Sequence, residues 1–239
     1  MRSTAGASAT RRRPGRPPGP SQAPELRRKL LEEALRLYAA GGYRGLSFSV
    51  LAERAGLQKP TVFHYFSNKD ALLSAVFGAL GDELEQRVLD AIEPPPASFA
   101  GRLERLTERL VDFYGREPVH ARVLCHGLLE VERAPHLVGE SAHPVFARFV
   151  RALLDFFAGG SRAGEFYPER PAALVSALGG LVLFEFMLPE HGRRIFGEEE
   201  LGFPLERRKK EIVDFVRRVA VRPEARLRAV EARKRRNQR

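Results

Sequence analysis

The 239-residue chain has one cysteine, no long apolar run and no strand-like alternation. A lone Cys125 excludes an intramolecular disulfide framework and fits a reducing compartment. A membrane-spanning helix needs roughly 18 or more apolar residues. The longest apolar stretch, residues 172–188, is interrupted by Ser176, Glu185 and two glycines, and reads as a buried core helix. Arginines near the N-terminus are not followed by an apolar segment, so no secretory leader and no membrane are expected. Gly-rich phosphate loops, nucleophile elbows and metal motifs are also missing. His120, His126, His136 and His143 lack a close partner at ligand spacing, and His120 and His126 fall on different helix faces. No catalytic residue, metal or cofactor is therefore expected.

What is present is a real core and a misplaced charge. Hydrophobic residues make up 44% of the chain, which excludes wholesale disorder. The net charge is +10, and it is unevenly spread. Residues 1–23 carry five arginines and no acid, and residues 222–239 carry eight Lys/Arg against two glutamates. Residues 24–70 hold eight bases and five acids, which leaves residues 71–221 mildly acidic. Positive charge gathered on two tails and one segment favours a polyanionic partner.

Helical periodicity organises the rest. Leu30, Ala34, Leu37 and Tyr38 form one face of a helix that opens near Pro24 and stops at Gly41-Gly42. Ser47 is a good N-cap for a short helix in which Val50, Leu51 and Ala55 turn inward. Gly56 permits a tight turn, and Pro60 fixes the start of a third helix near Lys59, because proline is tolerated only in a first turn. Ser67 and Asp70 form a capping pattern that starts a fourth helix near Asn68. Three prolines at 94–96 stop it and suggest a seam. Further helices are expected over residues 103–114, 119–132, 144–157, 171–188 and 205–220, with Gly159-Gly160 and Tyr167-Pro168 bounding a loop. The fold class is all-α.

Residues 47–70 read as a helix-turn-helix. A helix can enter the major groove of DNA when its exposed face is small or hydrogen-bonding and a second helix braces it. Gln58, Lys59, Thr61, His64 and Tyr65 supply such a face, with Val62 and Phe66 turned inward. Ser47 and Lys69 offer phosphate contacts at two helix starts. Phe63 is expected to pack rather than to touch DNA. The segment RRRPGRP places Arg13 and Arg16 in a short Gly-Arg-Pro pattern suited to a narrow minor groove.

Leu51-Ala52, Ala55-Gly56-Leu57, Thr61, His64-Tyr65-Phe66, Lys69-Asp70 and Leu72 stand in the order of a known signature. On these residues, 24–77 resembles the N-terminal domain of the Tet repressor (TetR/AcrR) family of bacterial transcriptional regulators. Gln58, Pro60 and Phe63 depart from the family's usual small hydroxyl residue, glycine and tyrosine. The resemblance implies DNA contacts from Thr61, His64 and Lys69, with Ser47 and Tyr65 beside them. It also implies a three-helix reader at 24–77, and a ligand-binding and dimerisation domain at 78–221. The tails, 1–23 and 222–239, flank them.

For that body, the helices at 171–188, with Gly179-Gly180 beside Leu178, Leu181 and Val182, and 205–220, with Ile212, Phe215 and Val219 from a face that also carries Val216, are the expected homodimer seam. Phe113, Cys125, His126, Phe149, Phe184 and Glu185 are the candidate lining of a pocket for an unidentified small-molecule inducer. The whole reads as a cytoplasmic bacterial protein, nucleoid-associated when bound to double-stranded DNA. It is expected to be a homodimeric repressor released from a palindromic operator by its ligand. The alternative is a ligand-independent architectural DNA-binding protein.

Overall fold

The structure, a computed structural model, describes residues 23–93, 98–133, 135–167, 170–187, 194–195, 197 and 204–226; within these, the side chains of 131–146 are not described. Nine principal helices are described: α1 (Ala23–Gly45), α2 (Phe48–Ala55), α3 (Lys59–Tyr65), α4 (Lys69–Ile92), α5 (Phe99–Arg116), α6 (Pro118–Arg133), α7 (Pro135–Arg162), α8 (Pro171–Met187) and α9 (Leu205–Ala220). Apart from an isolated bridge between Phe166 and Val221, no β-pairing occurs among the described residues. The all-α expectation holds.

Helices α1 to α3 form the small unit. Leu30, Ala34, Leu37 and Tyr38 of α1 are buried, as their spacing predicts. At Gly41-Gly42 the helix breaks, Gly42 taking φ 57°, before a last turn at Tyr43–Gly45. Helix α2 buries Phe48, Leu51, Ala52 and Ala55, whereas Val50, expected inside, lies on the exposed side. A period of 3.6 residues sets Leu51 and Ala55 on one face, and Val50 falls about 100° away from Leu51.

Helix α4 ties the two units together. It runs unbroken through residues 77 and 78, so no linker lies at the expected domain boundary. Its cap is Asn68, whose side chain accepts from the Ala71 amide at 2.8 Å; Ser67, the expected cap, is exposed one residue earlier. The shift follows from chain direction. Asn68 has the extended backbone (φ −156°, ψ 178°) that aims its side chain at the first free amides.

In the body, α4 packs against α5 and α7, and α5 against α9. Helix α7 starts at Pro135 and ends at Arg162, longer than expected at both ends. Gly159 and Gly160 lie inside it rather than in a loop. They leave room for the rings of Phe99 and Phe166, which join Phe156 and Phe157 in one aromatic cluster. The turn after α7 is tied to the end of α9, with the Arg222 amide donating to Glu165 O at 2.8 Å.

Helix α8 departs from the buried-core reading of residues 172–188 but leaves open the face expected at the homodimer seam. It is apolar nearly all round, yet only Leu178, Val182 and Phe186 are buried. Ala172, Ala173, Ala177, Gly179, Gly180 and Phe184 are exposed, and no described atom lies near a Cβ added at either glycine. Helix α9 buries Ile212, Val216 and Ala220 but leaves Phe215 and Val219 exposed, although Ile212, Phe215, Val216 and Val219 were expected on one face.

Candidate nucleic-acid interface

Local chemistry builds the helix-turn-helix. Gly56 adopts the left-handed conformation (φ 71°, ψ 32°), which side-chain-bearing residues rarely take. The Leu57 amide donates back to Ala52 O at 2.8 Å, closing the C-terminus of α2. Lys29 on α1 donates to Ala55 O at 3.0 Å, satisfying another carbonyl at that end. Gln58 is the N-cap residue of α3, and Pro60 occupies its first turn, where a missing amide costs nothing. Val62 and Phe66 are buried and pin α3 on its brace. Arg27 lies over the Phe66 ring at 5.5 Å, covering the joint from the α1 side.

The face left outward carries Gln58, Lys59, Pro60, Phe63 and His64, all exposed, with Thr61 and Tyr65 half-buried. The His64 and Tyr65 rings meet edge-on at 5.6 Å. Ser47 is half-buried at the start of α2, and its side chain makes no capping bond to the helix amides. Lys69 is half-buried at the start of α4, its ammonium 5.2 Å from the centre of the Tyr43 ring. The seven residues expected at a DNA surface thus occupy the outward side of α3 and two adjacent helix starts.

Phe63 packs as expected without being covered. Its ring does pack, on Phe48 at 4.8 Å, but 48% of the residue is exposed, and Lys59 lies 6.0 Å from its centre. It is part of the outward face. Tyr43 was missed altogether: its hydroxyl donates to Asp70 Oδ1 at 2.8 Å, bracing the start of α4. Its position just after a glycine break was the available signal. Arg13 and Arg16 lie outside the described residues.

The six expected pocket residues are scattered. Phe113 is buried and stacks on His120 at 4.5 Å. Burial pushes the His120 imidazole below its ordinary value despite the neighbouring Glu83 and Glu117. Cys125 is half-buried; burial raises its pKa, so it is a poor nucleophile. His126 turns towards α1, its ring 5.8 Å from that of Tyr38. Phe149 is partly buried against the core. Phe184 is 63% exposed on the uncovered face of α8, so it does not line the interior of one chain. Glu185 is ion-paired with Arg208 of α9, so its carboxylate is already engaged. A cleft of about 140 Å³ between α5 and α9, lined by Leu103, Thr107, Val213 and Val216 among others, includes none of the six.

Among the described residues, no group of three or more His, Cys, Asp or Glu could hold a metal ion, and no helix is long and apolar enough to cross a membrane.

Known proteins place this geometry. Residues 30–76 match the family described as bacterial regulatory proteins, tetR family. Over 70 residues, 29% of this chain, it is 33% identical to an uncharacterized HTH-type transcriptional regulator, YhgD, of Bacillus subtilis, covering 37% of that protein. Over 132 residues, 55% of this chain, it is 26% identical to the HTH-type transcriptional repressor KstR of Rhodococcus jostii, covering 61% of that one. The chain therefore spans less than two thirds of either relative. The fold matches the crystal structure of AibR in complex with isovaleryl coenzyme A and operator DNA, with a TM-score of 0.62 and 22% identity, covering 81% of this chain and 97% of that one. The braced helix lies inside the matched residues, so 30–76 carry the pattern of the tetR family of bacterial regulatory proteins, and the relatives matched over this region are named as transcriptional regulators.

Proposed function

We propose that the protein is a DNA-binding transcriptional regulator, acting as a homodimeric repressor that a small molecule releases from a palindromic operator. The observation that carries this reading is the outward face of α3. Gln58, Lys59, Thr61 and His64 stand on a helix fixed by Val62 and Phe66, with Ser47 and Lys69 beside it at phosphate-binding positions. Side chains of this kind hydrogen-bond base edges and phosphates, and the brace keeps them in register. The basic segments at 1–23 and 222–239 would add sequence-independent attraction, Arg13 and Arg16 by way of the minor groove.

A dimer is supported by the uncovered apolar faces of α8 and α9. Phe184, Phe215 and Val219 are 63%, 47% and 54% exposed, and Gly179-Gly180 offers a flat surface for close helix approach. Large apolar surface left open on a single chain marks an interaction site. Two readers about 34–36 Å apart would meet successive major grooves of a palindrome. The ligand would enter the body formed by residues 78–221, near Phe113, Cys125, His126 and Phe149. The AibR structure, which holds both an acyl-coenzyme A and operator DNA, is the precedent for that pairing.

Footprinting on the DNA flanking its own gene tests the reading, with the parent chain and with Thr61→Ala/His64→Ala. A discrete palindromic footprint is expected, with the double variant binding weaker by roughly 1–3 kcal/mol per lost base contact. Sequence-independent binding, indifferent to these changes, would instead favour a ligand-blind architectural protein.

A further inference from the structure

A polar junction joins the body to the reader at one carboxylate. The break at Gly41-Gly42 removes the helical acceptor that the Tyr43 amide would otherwise use. Glu130 of α6 supplies a replacement, its Oε1 accepting from the Tyr43 amide at 2.8 Å. Its other oxygen accepts from the Tyr38 hydroxyl, which belongs to a side chain with no exposed surface. Burial, together with Glu130, raises the Tyr38 pKa, so the phenol stays a donor and the carboxylate the acceptor.

Glycine at the break leaves room for this carboxylate. A Cβ on Gly42 would lie 2.8 Å from Glu130 Oε1 and 3.4 Å from His126 Nδ1, on top of requiring a strained positive φ. One turn earlier on α6, a Cβ on Gly127 would lie 2.6 Å from the Phe77 ring of α4, so the glycine lets α6 approach α4 closely. From Tyr43 the contacts continue towards the candidate DNA surface. Its hydroxyl donates to Asp70, and its ring faces the ammonium of Lys69.

We propose that Glu130 is a positioning residue for the reader. It clamps the broken end of α1 to the body through Tyr38 and the Tyr43 amide, and Tyr43 in turn sets the start of α4 and Lys69 against DNA. Hydrogen bonds to a charged acceptor are stronger than neutral ones, and here both donors come from one short stretch 87–92 residues away in sequence. A shift of α6 that carries Glu130 away therefore frees Tyr43 and the start of α4 without touching α3. The DNA half of this inference rests on the function proposed above; the clamp itself does not.

Two measurements on the full-length chain separate the halves. Amide hydrogen exchange without DNA reads the clamp. Glu130→Ala should speed exchange at residues 43–46 and 69–72 by about tenfold while amides of α2 keep their rates. Glu130→Gln, which retains the Oε1 acceptor, should stay within about threefold of the parent. Unchanged exchange at Tyr43 in Glu130→Ala overturns the clamp. If that variant does not fold, Tyr38→Phe, which deletes one hydroxyl, must raise exchange at Tyr43 for the clamp to stand. Titration of the footprinted DNA fragment reads the consequence. Glu130→Ala should weaken binding by about tenfold, and Tyr43→Phe by about threefold in the parent but hardly at all in the Glu130→Ala background. Additive losses, or full affinity in Glu130→Ala with a loosened clamp, overturn the positioning role. A parent chain that leaves no footprint refutes the DNA-binding reading and leaves the exchange result to judge the clamp alone.

Discussion

The reader and the body are made of the same material, amphipathic helices closed by glycine and proline, yet they are specified differently. From α2 to the start of α4, the reader's turns are set chiefly by neighbours in sequence: Gly56 at φ 71°, the Leu57 amide on Ala52 O, Pro60 in the first turn of α3, Asn68 over the Ala71 amide. In the body, the deciding contacts reach far along the chain. Phe99 meets Phe166, Glu165 accepts from the Ala100 amide at 2.9 Å, and Lys209 of α9 reaches Asp112 of α5 at 3.0 Å. A DNA reader must present a fixed face, and short-range constraints fix it at low entropic cost. Under the proposed function, a body that changes shape with its ligand would gain from contacts that can be exchanged between helices.

Truncation of the reader's buried centre should break this comparison most forcefully. Leu51 has no exposed surface, and Leu51→Ala should cost about 2–5 kcal/mol through lost burial and a cavity. Hydrogen exchange should show protection lost first over residues 48–66, with residues 99–162 holding theirs. Equal loss in both regions would mean that the reader is not a separately specified unit. A smaller effect is expected at the join. Gly127→Ala forces a methyl against Phe77, and overpacking of this kind costs about 1–3 kcal/mol. A lower melting temperature should be seen by circular dichroism, and an unchanged one would show that α6 can move off α4 freely. The smallest effect concerns a single cap. Asn68→Ala should cost about 1 kcal/mol and Ser67→Ala only a few tenths, since the Ala71 amide is bound by Asn68. Chemical denaturation of the two variants separates them, and the reverse order would restore Ser67 as the cap.

Legibility followed the same division. The starts and stops of α1 to α3, the inward placement of Val62 and Phe66 and the outward placement of Gln58, Lys59 and His64 were readable, because turn chemistry and periodicity act over a few residues. Val50 was misplaced: it is apolar, and composition does not say which side of an eight-residue helix is covered. The body misled more. Its apolar richness suggested that 172–188 is a buried core helix, whereas burial depends on which neighbours arrive, and only one stripe of α8 receives any. The partner of Glu185 was equally hidden, since Arg208 lies 23 residues away.

The sequence by itself determined the helices, the glycine and proline turns between them, and a reader whose order of residues marks a family. Those features rest on local backbone preferences and on the 3.6-residue period, which one stretch of chain carries whole. Tertiary structure decided what those helices meet. It put Phe63 on the outward face, left the flank of α8 uncovered, and delivered Glu130 from α6 to the broken end of α1. Pairings across some ninety residues come from the simultaneous packing of many surfaces, and no local pattern encodes them.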